Sequence, residues 1–201
     1  MKKGLLLILF ITCTFLINAQ TAIDSVSHTV FLLGDAGEPE SKTSMIFKEL
    51  LTHVKPIENK STIVFLGDNI YPNGIPNKND KGRKAAEAIL RYQLDELTKT
   101  TAKSYYIPGN HDWDDGNEKG LKYIKNQEQF IEKTLKNYNA FVPDSGCGTP
   151  TEVLVNDNLV LIAIDTQWWL HQHEKGKNCK YKTTAEVIEK LNLLLAKNQD
   201  K

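Results

Sequence analysis

The sequence predicts an α/β fold built on a largely parallel sheet. Three observations carry that prediction. Apolar runs of strand length alternate with amphipathic stretches of helical period. The runs at 29–33 and 62–66 are apolar almost throughout rather than alternating, as strands covered on both faces must be. Each of the first three runs then exits through glycine followed by Asp, Asp or Asn, residues suited to tight βα turns.

The elements follow in order. Thr29-Val30-Phe31-Leu32-Leu33 reads as a buried strand that ends at Gly34-Asp35. A helix is expected over about 42–55, with Ile46, Phe47, Leu50, Leu51 and Val54 on one face. The second strand, 62–66, ends at Gly67-Asp68, and the turn formers of Tyr71-Pro72-Asn73-Gly74-Ile75-Pro76 make a loop. A second helix spans about 80–98, carrying Ala86, Ile89, Leu90, Leu94 and Leu97 inward. A third strand at 104–107 ends in Pro108-Gly109-Asn110-His111-Asp112, and a helix over about 120–137 follows. Asn156-Asp157-Asn158 separates two strand-like runs, 152–155 and 159–165, as a hairpin. A helix at about 184–198 closes the chain, with Val187, Ile188, Leu191 and Leu194 as its apolar stripe.

Composition narrows the function. The 201 residues are 40% hydrophobic and 25% charged, too apolar for a disordered chain. Lys and Arg number 25 against 25 Asp and Glu, so there is no basic footprint for a polynucleotide backbone. The length favours a single domain.

The first residues read as an address. Met1-Lys2-Lys3 precedes an apolar run from Leu5 to Ile17, and the small Ala19 leads into Gln20-Thr21. This is the pattern of a secretory signal over residues 1–19, with cleavage expected after Ala19. About 20 apolar residues are needed to cross a bilayer, so an uncleaved anchor is the weaker reading. Export implies a periplasmic or secreted protein with no stable membrane span. Cys147 and Cys179, the two cysteines left after cleavage, are then expected to pair as a disulfide. It would close a loop of about 33 residues, worth roughly 3–4 kcal/mol in the chain-entropy account. Neither lies in a metal-type CxxC spacing.

The chemistry concentrates at the strand exits. Gly34-Asp35-Ala36-Gly37, Gly67-Asp68-Asn69-Ile70-Tyr71 and Gly109-Asn110-His111-Asp112 follow the three parallel strands. Neighbouring strands lie about 4.8 Å apart, and open α/β sheets bind ligands beyond their strands' carboxyl ends. Carboxylates converging there repel unless a cation lies between them. A single Gly-Asp exit is ordinarily just a turn; three in succession, the last Gly-Asn-His-Asp, point to a metal site.

From Thr29 onward the chain resembles the calcineurin-like metallophosphoesterases, which carry these three blocks in this order on a layered β-sandwich flanked by helices. Gly-Asn-His-Asp is the most specific piece. Most members place histidine two residues after the first aspartate, where this chain has Gly37. Its Gly-Asp-x-x-Tyr second block is similar to that of the purple acid phosphatase branch, in which tyrosine takes the missing histidine's place. The resemblance implies that Asp35 and Tyr71 bind a first metal, expected as Fe(III), that Asp68 bridges two metals, and that Asn110 serves a second, Zn, Mn or Fe(II). His111 would contact the phosphate and protonate the leaving oxygen, with Asp112 orienting it. Tyr71 could otherwise be a loop aromatic packed on the next helix.

The implied activity is hydrolysis of a small phosphate ester by two-metal catalysis. A nucleotide phosphodiesterase and a truncated, non-catalytic binding module are the alternatives. The family's later histidine and its Gly-His-x-His block are absent, and residues 197–201 stand where its next core strand would begin. The expectation is therefore a partial domain over 20–201, truncated at the C-terminus. His171 and His173 read as a surface loop beside Trp168 and Trp169, which would pack or line the cleft rim; substitution for the absent ligands is the weaker reading.

Overall fold

A computed structural model describes residues 26–38 and 40–201. The signal segment expected at residues 1–19 lies outside the described residues. Strands β1 (Thr29–Leu33), β2 (Ser61–Phe65) and β3 (Lys103–Tyr106) pair in parallel in the order β1-β2-β3. Thr29 faces Ser61, and Thr62 faces Lys103. All five residues of the central strand β2 are buried, which is why its run is apolar with no alternation.

Helix α1 (Glu40–Val54) connects β1 to β2 through a 3-10 turn at Lys55–Lys60, and α2 (Arg83–Leu97) connects β2 to β3. Helix α3 (Gly120–Leu135) follows the third strand. Phe47, Leu51 and Val54 of α1 and Ile89, Leu90 and Leu94 of α2 point inward as the apolar spacing predicts, whereas Ile46 of α1 is exposed; α3 buries Ile124 and Ile131. Burial of each such side chain contributes about 1.5–3 kcal/mol. Phe65 stacks on Tyr106 with ring centroids 4.1 Å apart, and Phe47 meets Phe65 at 6.1 Å.

Strands β4 (Thr151–Asn156) and β5 (Leu159–Ala163) form the expected hairpin, a separate antiparallel pair. An apolar groove lies between it and the parallel sheet, lined by Leu32, Val64 and Tyr105 on one side and by Val153 and Leu161 on the other. The result is a mixed α/β architecture with helices packed against a parallel sheet. A short helix α4 (Gln167–Leu170), which the sequence reading missed, follows the hairpin. Helix α5 (Thr184–Lys197) begins in a capping box, where Thr183 accepts from the Glu186 N–H and its own N–H donates back to the Glu186 carboxylate. Lys197 and Asn198 tie the end of α5 to Glu152 on β4, at 2.6 and 2.9 Å.

Cys147 and Cys179 are joined, with Cα atoms 5.6 Å apart. The link holds the chain after α4 against the 144–148 loop, where the Gly176 N–H also donates to the Gly146 carbonyl at 3.0 Å. Among the described residues no helix is long and apolar enough to cross a membrane.

Candidate metal centre

The parallel ladder carries past the strand ends and sets the site. The Leu66 N–H donates to the Leu33 carbonyl at 2.9 Å, and the Ile107 N–H to the Phe65 carbonyl at 2.8 Å. Beyond these bonds Asp35 and Asp68 both turn into the left-handed region, at φ 57° and 52°. Aspartate tolerates this better than most residues, and conformations of this kind, at about 1–3 kcal/mol each, persist where the surroundings enforce them. The two aspartates are thereby brought together from chain positions 33 residues apart.

Tyr71 lies between them. Its phenol oxygen is 2.7 Å from Asp35 Oδ1 and 3.1 Å from Asp68 Oδ2. The structure thus assigns the phenol to the carboxylates rather than to packing on the next helix. Partial burial comes first, then the Asp35 hydrogen bond and the Asp68 charge, in pushing the phenol above its usual pKa. One O–H can satisfy one carboxylate fully, so the three oxygens form a cluster in which negative charge is undercompensated.

The absence of histidine from the first block has a steric cause. A Cβ on Gly37 would lie 2.6 Å from the Asp68 carbonyl and from the Ile70 nitrogen. The first and second loops touch there, and the Tyr71 N–H donates to the Gly37 carbonyl at 2.9 Å. Gly109 makes the equivalent contact between the second and third loops, since its Cβ would fall 2.2 Å from Asp68 Oδ1.

His111 packs edge-on against Tyr71, with ring centroids 4.5 Å apart. Its Nδ1 lies 2.6 Å from the Pro72 carbonyl. A carbonyl only accepts, so Nδ1 carries the proton and Nε2 is the nitrogen left for chemistry. The His111 backbone N–H donates to Asp68 Oδ1 at 3.2 Å.

Asp112 does not orient His111 as expected. It is fully buried and accepts from the Gly109 N–H at 2.8 Å, the Asn69 N–H at 3.1 Å and the Asn69 side-chain amide at 3.1 Å. It clamps the second loop to the third. Burial pushes its carboxyl up to about 6, against the pull of the Gly109 and Asn69 bonds. The physical reason is direction: the tight turn after Gly109 sends His111 outward and the next side chain inward.

Several supporting residues carried no role in the sequence reading. Gln93, fully buried on α2, donates through Nε2 to the Ala36 and Asn69 carbonyls, both at 2.9 Å. It staples the residues that follow Asp35 and Asp68. Its signal was a lone amide on the apolar stripe of Ile89, Leu90, Leu94 and Leu97. Trp113, also fully buried, donates its indole N–H to Asp165 Oδ2 at 2.8 Å.

His171 and His173 do not join the carboxylates, and His171 is not in a surface loop. It is 2% exposed, its ring 4.6 Å from Trp113 and 5.7 Å from His173. Trp168 is buried with it. Burial, then the charges of His173 and Lys175, holds the His171 imidazole below its usual pKa.

The donor chemistry fits a hard cation in part. Asp35, Asp68 and Tyr71 supply oxygen ligands of the kind that suits such an ion, and Asn110, whose neighbour His111 donates its backbone N–H to Asp68, carries an amide oxygen of the same kind. Among the described residues, no three His, Cys, Asp or Glu side chains are grouped so as to hold a metal.

The parallel sheet gathers carboxylates, a phenol and an imidazole at its strand exits, on the blocks by which the chain resembles the metallophosphoesterases. The chain belongs to the calcineurin-like phosphoesterases, whose family matches residues 28–197. Neither the curated proteins nor the solved structures yielded a match.

Proposed function

We propose that this chain is an exported hydrolase of small phosphate monoesters, of the purple acid phosphatase kind. The observation that carries the reading is the Tyr71 phenol between Asp35 and Asp68, beside a Gly37 with no room for a side chain. Asp35 and Tyr71 would hold the first ion, Fe(III), with Asp68 shared and Asn110 serving a second, Zn, Mn or Fe(II). Bound ions would supply Lewis-acid stabilisation of the phosphoryl oxygens and lower the pKa of a water.

The chain's own groups would do the rest. His111, fixed through Nδ1 by Pro72, offers Nε2 toward substrate and, when protonated, delivers a proton to the leaving oxygen. Asp112, Asn69 and Gln93 hold the three loops in register without touching substrate. The basic, apolar N-terminal segment supports export, and the linked Cys147 and Cys179 suit an oxidising compartment. Charge neutrality favours a small substrate over a polynucleotide.

The sparse imidazole set favours a second reading, a non-catalytic binding module. One experiment separates them. The protein is reconstituted with iron and zinc, its metal content is measured by elemental analysis, and hydrolysis of p-nitrophenyl phosphate and its bis-ester is followed. Two ions per chain, lost on Asp68→Ala, with monoester hydrolysis lost on His111→Ala, is the expected result. No retained metal and no hydrolysis would leave the binding module.

A further inference from the structure

Immediately after His111-Asp112, the chain makes an unusual turn. Asp114, Asp115 and Gly116 follow one another in the left-handed region, at φ 55°, 52° and 81°. That conformation is disfavoured for residues with a Cβ, so two in succession must be held by their surroundings. The Asp114 N–H donates to the His111 carbonyl at 3.1 Å, the Asp115 N–H to the Asn110 carbonyl at 2.9 Å, and the Gly116 N–H to the Trp113 carbonyl at 3.0 Å. The side-chain amide of Asn117 donates to the Asp114 carbonyl at 2.6 Å, and that of Asn73 to the Asp114 carboxylate.

The consequence is that Asp115 faces back onto Asn110. Asn110 Nδ2 donates to Asp115 Oδ1 at 3.0 Å. An ionised carboxylate has no hydrogen to give, so only the nitrogen end of the Asn110 amide can meet it. The oxygen end, at the other side of the same planar group, is turned away. Asp115 thus grips both the backbone carbonyl and the side-chain amide of Asn110.

We infer that Asp115 is a positioning residue that selects the amide orientation in which Asn110 presents oxygen, not NH2, to a cation. The inference rests on the metal-centre reading proposed above. A free amide rotates between two orientations, and one of them aims donor hydrogens at the ion. Outer groups that fix a ligand's orientation commonly change metal affinity by about 10–100-fold.

Two substitutions separate orientation from charge. Asp115→Gly removes the carboxylate and suits the left-handed backbone. Asp115→Asn removes the charge but keeps an oxygen that accepts from Nδ2. Binding of Zn2+ and of Mn2+ is titrated by calorimetry in the wild type and both variants. The Asn110 side-chain NH2 signals are recorded without metal by 15N NMR. The expected result is two ions in the wild type, the weaker one loosened about 10–100-fold in Asp115→Gly and near wild type in Asp115→Asn. The Asn110 signals should shift in Asp115→Gly even without metal. Equal loss in both variants would assign the effect to charge, and unchanged affinity in Asp115→Gly would exclude positioning; either overturns the inference. If the wild type itself binds no ion, the metal-centre reading fails first and this inference with it.

Discussion

Replacing Asp165 with asparagine should reverse its effect on stability between acid and mildly alkaline pH. Asp165 follows β5, is 1% exposed and makes no ion pair among the described residues. Its oxygens accept from the Trp113 indole at 2.8 Å and the Trp168 N–H at 3.1 Å. Burial nonetheless pushes its carboxyl from 3.8 up to about 7, with the Asp112 charge adding to the effect. The folded state therefore holds a proton that the unfolded chain has released between these values. Stability falls as pH rises from about 4 to 7, and the full penalty applies above 7. Three units at about 1.4 kcal/mol each give roughly 4 kcal/mol.

Asparagine removes that penalty but has only one accepting oxygen, so one of the two bonds is lost at about 1–2 kcal/mol. Asp165→Asn should be more stable than wild type by about 2–3 kcal/mol at pH 8, and less stable by about 1–2 kcal/mol below pH 4. Urea unfolding at pH 4, 6 and 8, followed by tryptophan fluorescence, measures this directly. His171 works in the opposite sense. Its lowered pKa contributes stability that is present above about 6.5 and lost as pH falls. It is common to both proteins and cancels in the difference. A difference that stays constant from pH 4 to pH 8 would refute the reasoning.

Three further outcomes follow from the same geometry. Gln93→Leu leaves the Ala36 and Asn69 carbonyls without their buried donor and should cost about 2–6 kcal/mol in urea unfolding, at about 1–3 kcal/mol per orphaned group. Gly37→Ala should destabilise by about 1–3 kcal/mol, and Gly37→His should lower rather than raise metal content by elemental analysis, because the collision is with backbone atoms 2.6 Å away. Cys147→Ser together with Cys179→Ser should lose about 2–4 kcal/mol in the same unfolding assay, for a link spanning 32 positions.

The order and type of the main elements were legible because they depend on local periodicity. Where the spacing marked a helix face most of it is buried, with Ile46 on α1 and Ile188 on α5 exposed, and boundaries moved by only a few residues; α2, for example, begins at Arg83 rather than near 80. The short α4 was missed because four residues around Trp168 and Trp169 carry no period to read. The chemistry-bearing exits were legible too, since glycine and aspartate mark a tight turn wherever the strand ends.

The sequence by itself determined that Asp35, Asp68, Tyr71, Asn110 and His111 lie at the carboxyl ends of neighbouring parallel strands. Strand order and turn chemistry suffice for that, because both act over a few residues. Only the tertiary structure decided where the side chains go. It turned Asp112 inward onto Asn69, 43 positions away, and sent His171 against Trp113 instead of the carboxylates. It also placed Gln93 on the Ala36 carbonyl across 57 positions and closed the space above Gly37. These outcomes depend on steric exclusion and on buried hydrogen-bond demands between segments far apart in the chain, and no local pattern encodes which distant group will meet them.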